Sequence, residues 1–174
     1  MSFTLWFTGL PGSGKTTIAK GLKQKLHDAG QYIELIESDL MAEYFTGLIP
    51  IDKNGRQIVV SAMAVCAEHL NKNTIPVIAT STTPLNKDRA HIRSVISSFF
   101  LVYCHASEKT VRQRDPKGLY GLADNGLLMD FPGPGGVYEH PHDADIELNT
   151  DKYDPNRCVD DVMAFLHQRG LMQK

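Results

Sequence analysis

The sequence has few cysteines, little net charge and no long apolar run, and each shortage excludes a class of protein. No apolar stretch approaches the roughly 20 residues of a membrane-spanning helix, so we expect no contact with a membrane. A formal net charge of -2 gives no broad cationic surface for nucleic acid. The cysteines Cys66, Cys104 and Cys158 are scattered and odd in number, which favours free thiols and a cytoplasmic location.

The length of 174 residues and the hydrophobic content of 42% fit one globular domain with a full core, and we expect residues 1–174 to form it. The N-terminal stretch MSFTLWFTGLPG is apolar, but no basic segment precedes it and it has no small-residue cleavage site. We therefore interpret it as a buried strand rather than a signal peptide.

Apolar and amphipathic stretches alternate along the chain, which predicts alternating strands and helices. Repeated strand–helix units predict a parallel sheet with helices on both faces, which is a three-layer α/β/α fold. The predicted strands span residues 3–9, 32–39, 75–81, 99–106 and 144–150. The predicted helices span residues 15–30, a segment that begins near Leu40, and residues 56–73, 85–96, 107–115 and 155–170. Residues 116–142 are rich in glycine and proline and are predicted to form a loop or lid.

The stretch GLPGSGKT at residues 9–16 matches the phosphate-binding pattern G-x-x-x-x-G-K-[ST]. It lies between an apolar strand and an amphipathic helix, which is the context that this loop requires. Its glycines let backbone N–H groups surround anionic oxygens. Lys15 would reach the outer phosphates of a nucleoside triphosphate, and the Thr16 hydroxyl would hold Mg²⁺. The predicted nucleotide-binding residues are Gly9, Gly12, Ser13, Gly14, Lys15, Thr16 and Thr17.

Two motifs of GTPases are missing, since the sequence has neither N-K-x-D nor an apolar strand that ends in D-x-x-G. Instead, the second predicted strand ends in Glu37-Ser38-Asp39. Carboxylates at the carboxyl end of such a strand face the crevice where ligands bind. One carboxylate could accept a hydroxyl proton and the other could orient water on Mg²⁺. An equally weighted alternative is a helix cap, because Ser38 or Asp39 suits that position.

The segments RDPKGLYGLADNG (114–126) and FPGPGGVYEHP (131–141) resemble the adenylylsulfate kinase family. The family pattern R-D-P-K-G-L-Y is matched in full by residues 114–120. WFTGLPGSGKTT is similar to the family's phosphate loop, ESD stands where the family has D-G-D, and STTP with Arg89 stands where it has F-I-S-P and an arginine. The resemblance implies a P-loop kinase fold with a lid at about residues 115–140.

The resemblance also implies an activity, the transfer of the γ-phosphoryl group of ATP, with Mg²⁺, to the 3′-hydroxyl of adenylyl sulfate. Asp39 then corresponds to the base, and Lys15 and Arg114 to further catalytic groups; for Arg112, a solvated helix face is an equal alternative. We also expect a homodimer. The predicted residues of the acceptor site are Glu37, Asp39, Arg56, Thr83, Arg89, Lys117, Leu119 and Phe131.

The chain departs from the family pattern where the acceptor binds. Arginine, phenylalanine and asparagine positions of the family carry Ala42, Ile51 and Val59, whereas the arginine at Arg56 is kept. Other departures are Ser61 and Ala62 for paired arginines, and Pro134 for a lid isoleucine.

Because alanine or serine cannot replace a bidentate arginine contact, we expect another 5′-modified nucleotide as acceptor. A cytidine diphosphate derivative such as cytidine diphosphoramidate is one example. Two alternatives stay open: adenylyl sulfate held by other arginines, Arg56 and Arg89 among them, and a non-catalytic nucleotide-binding regulatory domain.

Overall fold

The computed structural model describes residues 2–50, 52–128, 131–133 and 136–172. Within these ranges, five parallel strands form one sheet with the order β2-β3-β1-β4-β5. The strands are β1 Thr4–Thr8, β2 Glu34–Glu37, β3 Val77–Thr80, β4 Phe99–His105 and β5 Ile146–Asn149. The helices are α1 Lys15–Asp28, α2 Ser38–Tyr44, α3 Lys53–Lys72, α4 Asn86–Val95, α5 Glu108–Arg114, α6 Leu119–Asp124 and α7 Pro155–Gln168.

Side chains of the central strand β1 alternate between two separate cores. Leu5 and Phe7 pack with residues of α1 and α7, whereas Trp6 packs on the opposite face with residues of α3 and α4. This alternation is the period of two that a strand imposes, and β1 is buried along its whole length. The predicted three-layer α/β/α fold is therefore confirmed.

Helix boundaries follow local hydrogen bonds that the apolar pattern does not report. Gly30 ends α1 as predicted, with φ 75 and its N–H donated to the carbonyl of His27 at 2.9 Å. Helix α3 starts three residues before the predicted boundary, because the Asp52 carboxylate accepts the N–H groups of Asn54 and Gly55. Helix α2 starts at Ser38 rather than near Leu40, so Asp39 lies in its first turn.

The predicted loop at residues 116–142 contains the short helix α6, which the glycine-rich composition concealed. Buried side chains of Tyr120 and Phe131 form a small third core with Ala106, which follows β4, and with Val111 of α5. The lid therefore carries its own apolar contact with the body of the protein. Ile51 and Pro134, two of the departures named above, lie outside the described residues.

Two features of the structure concern the apolar runs and the cysteines. None of the helices in the described part of the chain is long and apolar enough to cross a membrane. The side chains of Cys66, Cys104 and Cys158 are all free, with Cys66 exposed and the other two buried.

Candidate active site

The phosphate loop connects β1 to α1 and requires its glycines. Gly9, Gly12 and Gly14 have φ angles of 149, 80 and 89, which side chains disfavour. A Cβ atom on Gly9 would lie 2.5 Å from the carbonyl oxygen of Cys104, so the loop also lies directly on β4. Gly14 occupies the N-cap of α1, which points the first N–H groups of the helix into the loop.

The Lys15 ammonium folds back over this loop. Its Nζ donates to the carbonyl oxygens of Gly9 and Leu10, both at 2.8 Å. Burial lowers the pKa of Lys15 from 10.5 to about 8, while the nearby Cys104 and Asp39 raise it in part. The side chain is thus a cation held in the loop by neutral acceptors, and phosphate oxygens could replace those acceptors.

The loop fits a triphosphate and its metal by its chemistry. The buried Ser13 hydroxyl has no hydrogen-bond partner among the described residues, and such a group calls for one. Thr16 lines the cleft above the loop. No group of three or more carboxylate, histidine or cysteine side chains within the described ranges could hold a metal ion alone. This fits Mg²⁺, which typically binds through few protein ligands together with substrate phosphates.

A single cleft of about 2150 Å³ joins the phosphate loop to α2, α3, α4 and the lid. We call the part around the loop the donor end, and the part lined by α2, α3 and the start of α4 the acceptor end. Gly9, Ser13 and Arg89 are not among the described residues that line the cleft. The predicted residues that line it are Gly12, Gly14, Lys15, Thr16, Thr17, Glu37, Asp39, Arg56, Thr83, Arg114, Lys117, Leu119 and Phe131.

Asp39 reaches across the cleft to the lid. Its carboxylate accepts a hydrogen bond from Lys117 Nζ and forms an ion pair with it. Both side chains are more than half exposed, at 66% and 52%, so the pair is weak enough for a substrate to displace. The helix-cap alternative is wrong, because Glu37 holds the N-cap position of α2 and no side chain makes a capping bond there.

Glu37 lies deeper, with 19% of its side chain exposed, and pairs with Lys20 Nζ at 3.1 Å. It ends β2 one residue before α2 begins. The two carboxylates of the ESD stretch therefore enter the same cleft from a strand end and a helix start.

Arg112 and Arg114, near the end of α5 and next to the lid, differ in their partners. Arg114 donates to the carbonyls of Gly12 at 3.4 Å and Thr150 at 2.6 Å, and no described carboxylate pairs with it. Arg112 instead pairs with Glu108 at 2.9 Å and Asp124 at 2.7 Å. Arg114 thus lies beside the phosphate loop without a carboxylate partner among the described residues, whereas Arg112 connects a carboxylate of α5 to one of α6.

Arg89 is 2% exposed and binds protein groups below the cleft. It donates to the carbonyl of Thr83 at 2.6 Å, to Asn86 Oδ1 and to the carbonyl of Glu139. Glu139 in turn accepts the N–H of Asn86 at 2.6 Å. Arg89 therefore ties the end of the lid to the start of α4, and Thr83 is the cleft-lining residue of this group.

The lid also binds the phosphate loop from above. Tyr120 of α6 donates its hydroxyl to the Pro11 carbonyl at 2.8 Å, and its ring meets that of Phe131 edge to face at 5.0 Å. Burial raises the pKa of the Tyr120 hydroxyl, so it stays a donor. Leu119 lies next to Tyr120 and lines the cleft.

The acceptor end contains three of the departures from the family pattern. Ala42, Val59 and Ser61 all line it, whereas Ala62 does not belong to the described lining. Its lining cations are Lys53, Arg56 and Lys87.

Sequence reasoning missed Thr150, which follows β5. Its Oγ1 accepts from Arg114 at 3.2 Å and lies 3.1 Å from the carbonyl oxygens of Ser13 and His105. Thr150 thereby connects Arg114 to the phosphate loop. The available signal was its place just after a parallel strand, where side chains meet the ligand crevice.

Comparisons with known proteins agree with this site. The family model for adenylylsulphate kinase matches residues 1–149. An adenylyl-sulfate kinase of Halothermothrix orenii is 32% identical over 169 residues, which cover 97% of this chain and 91% of that protein. The APS kinase of Mycobacterium tuberculosis, solved with AMPPNP and APS, superposes with a TM-score of 0.89 at 27% identity and covers 95% of this chain and 98% of that one.

A gluconokinase of Sinorhizobium meliloti, with a TM-score of 0.67 and 18% identity over 95% of this chain and 92% of that one, shares the fold. The fold is thus that of P-loop kinases. The match of the family model, the level of identity and the geometry of the loop and lid all lead to one conclusion: the chain belongs to the adenylylsulfate kinase family.

Proposed function

We propose that this protein transfers the γ-phosphoryl group of ATP to the ribose 3′-hydroxyl of a 5′-modified nucleotide other than adenylyl sulfate. A cytidine diphosphate derivative, for example cytidine diphosphoramidate, is such an acceptor. One observation carries the proposal: Lys15 and Thr16 of the phosphate loop line the donor end of the cleft, whereas Ala42, Val59 and Ser61 line its acceptor end.

ATP-dependent phosphotransfer with Mg²⁺ is the chemistry of the family, and the donor end suits it. Lys15 and the loop N–H groups would bind the β- and γ-phosphates, and the Thr16 hydroxyl would hold the metal. Bound Mg²⁺ would neutralise the charge that develops on the phosphate oxygens. Arg114 brings a further cation without a carboxylate partner among the described residues, which suits it to the same charge.

At the acceptor end, Asp39 would accept the proton of the attacking hydroxyl. Its place in the first turn of α2 holds the carboxylate at the cleft. Lys117 would leave Asp39 when the acceptor arrives, because an exposed ion pair contributes only about 0.2–1 kcal/mol. The freed ammonium could then bind phosphate oxygens. Glu37 would order water near the metal from its more buried position.

The lost cations argue against adenylyl sulfate as the efficient acceptor. Each missing charge-assisted contact costs roughly 1.5–3 kcal/mol, so two would lower kcat/KM by about two to four orders of magnitude. Arg89 is a poor replacement, because three protein acceptors already hold it below the cleft. Arg56 lines the cleft, but it matches an arginine that the family already has.

Steady-state kinetics with adenylyl sulfate and with cytidine diphosphate derivatives test this proposal. We expect adenylyl sulfate to be a poor acceptor, and a kcat/KM above roughly 10⁶ M⁻¹s⁻¹, well inside the range of efficient enzymes, would contradict it. ATP hydrolysis that no nucleotide stimulates would support the alternative of a non-catalytic nucleotide-binding domain.

The predicted homodimer is part of the same proposal. Large apolar side chains are exposed on α2, on the turn after it and on α3, which a second copy could cover. They are Leu40, Tyr44, Leu48, Ile58 and Val65. Light scattering on the purified protein would give the mass. The cytoplasmic location stays a prediction from the thiols.

A further inference from the structure

Thr150 is a buried polar residue, 6% exposed, that follows β5 and contacts three segments at the donor end. Its N–H donates to the carbonyl of His105 in β4 at 2.9 Å, and its Oγ1 lies 3.1 Å from the carbonyl oxygen of Ser13 in the phosphate loop. Arg114 of α5 donates to both oxygen atoms of Thr150, to the carbonyl at 2.6 Å and to Oγ1 at 3.2 Å. One residue therefore connects a strand end, the phosphate loop and α5.

The hydroxyl proton of Thr150 has two possible acceptors, since Oγ1 lies 3.1 Å from the carbonyl oxygens of both Ser13 and His105. A hydroxyl donates only one hydrogen bond, although it can accept others. The His105 carbonyl already accepts the N–H of Thr150, whereas no other described group donates to the carbonyl of Ser13. Ser13 is fully buried, and a buried carbonyl without a donor is costly. The proton therefore belongs to the bond with Ser13.

This bond fixes the direction of the peptide group that joins Ser13 to Gly14. The described residues contain no cis peptide bond, so the C=O and the N–H of this group point in opposite directions. With the carbonyl held by Thr150, the N–H of Gly14 points away from Thr150. Gly14 lines the cleft at the N-cap of α1, and its N–H donates to no described group. An N–H at this point of a phosphate loop is a donor for a phosphate oxygen.

The bonds from Arg114 give Thr150 a second effect on the donor end. The Arg114 side chain is exposed, and a long exposed side chain samples many rotamers unless its polar end is held. The two oxygen atoms of Thr150 accept from different terminal nitrogens of the guanidinium, so they hold its plane in one orientation. The Gly12 carbonyl adds a weaker contact at 3.4 Å. The cation therefore stays beside the phosphate loop.

We propose that Thr150 is a positioning residue for phosphoryl transfer, whose hydroxyl turns the Gly14 N–H toward the nucleotide phosphates and holds Arg114 beside them. Both donors are then oriented before the nucleotide binds, so binding does not have to order them. Thr150 acts through these two residues and needs no contact of its own with the phosphates. The role depends on the ATP-dependent chemistry of the family and is the same for any acceptor.

Calorimetry with MgADP and with MgAMPPNP, both without acceptor, tests this role. Thr150→Val has nearly the same shape and lacks only the hydroxyl, so the backbone carbonyl can still accept from Arg114. We expect the Kd of both ligands to rise by at least about tenfold, because a misdirected donor loses a charge-assisted bond to phosphate. Thr150→Ser keeps the hydroxyl, so its Kd values should stay within about threefold of those of the unchanged protein.

Thr4→Val is the matched control. Thr4 is fully buried at the start of β1, outside the described lining of the cleft, and its Oγ1 forms a hydrogen bond with the Asn71 side chain at 2.8 Å. Its loss should lower the melting temperature and leave both Kd values unchanged. The binding stoichiometry gives the folded fraction of each variant, so the Kd values refer to folded protein.

Unchanged Kd values in Thr150→Val would overturn the proposal, whatever the melting temperature of that variant. Binding by Thr150→Ser that is as weak as binding by Thr150→Val would also overturn it, because the loss would then come from packing of the threonine methyl group. Since no acceptor is present, these results do not depend on the acceptor kinetics that test the proposed function.

Discussion

The donor and acceptor ends of the cleft are built in different ways. The donor end consists mainly of one stretch, residues 9–17, whose backbone has three glycines with positive φ angles and leads into the N-terminus of α1. The acceptor end gathers side chains from α2, α3, α4 and the lid. A site built from backbone groups depends on the conformation of its loop and tolerates few substitutions. A site built from side chains can come to bind a different ligand through single substitutions. This difference would allow a phosphate loop that matches its pattern in full to coexist with an acceptor pocket of the kind proposed above.

The largest effect is expected from a substitution of Asp39, where the acceptor hydroxyl would meet the phosphates at the donor end. Asp39→Asn should lower turnover by a factor on the order of a hundred or more while ATP affinity and folding stay unchanged, because the amide cannot accept the hydroxyl proton. Asp160→Asn is the control, since Asp160 is also an exposed carboxylate paired with a lysine, Lys25. Near-normal turnover of Asp39→Asn would reject its role as the base.

An arginine introduced where the family pattern has one should make the acceptor end more similar to that of the family. Ala42→Arg should raise kcat/KM for adenylyl sulfate by about ten- to a hundredfold, because one charge-assisted contact contributes roughly 1.5–3 kcal/mol. Tyr44→Arg adds the same charge to α2 at a site 74% exposed and outside the cleft lining. An equal gain in both variants would indicate general electrostatic attraction instead of a specific contact.

Arg89 should behave as a structural residue of the lid. Arg89→Lys removes most of the bonds to Thr83, Asn86 and Glu139, and we expect it to destabilise the protein by about 1–3 kcal/mol. The melting temperature should then fall by roughly 2–10 °C. Arg157→Lys, on an exposed ion pair of α7, should change it little. Unchanged stability with a raised KM for the acceptor would instead support the predicted substrate contact of Arg89.

The lowered pKa of Lys15 predicts a pH dependence at the donor end. Below about pH 8 the ammonium is present in the free protein, and above it the proton is increasingly lost. Because phosphates favour the charged form, MgATP affinity should fall by up to about tenfold per pH unit above about pH 8, with uptake of a proton on binding. Calorimetry in buffers of different ionisation enthalpy measures this uptake. Lys15→Arg should bind more weakly but without the decline, and a decline that persists in it would assign the effect to another group.

The smallest expected effect concerns the lid at residues 115–140. Hydrogen exchange should slow there by a few-fold when MgAMPPNP and cytidine 5′-diphosphate bind together, because closure excludes water from the cleft. The amides of α7 serve as an internal reference. Equal exchange with and without ligands would contradict a lid that closes on substrate.

The sequence by itself determined the phosphate loop, the order of the strands and of the helices other than α6, and the layered fold. These features depend on contacts between neighbours in the chain or on a simple period, so they can be read locally. The glycine that ends α1 and the two carboxylates at the end of β2 and the start of α2 belong to this group. The resemblance of residues 114–120 to a family lid added the activity class.

Only the tertiary structure decided which side chains share the cleft. Arg89 and Arg114 are both arginines of the resemblance, yet one is buried under the lid and the other lies beside the loop. Gln57 and Asp88, which form a hydrogen bond between α3 and α4, are 31 positions apart and carry no motif. The contact between Asp39 and Lys117 spans 78 positions. Such pairings depend on how helices pack across the sheet, and neither spacing nor composition encodes a distance between segments that are far apart in the chain.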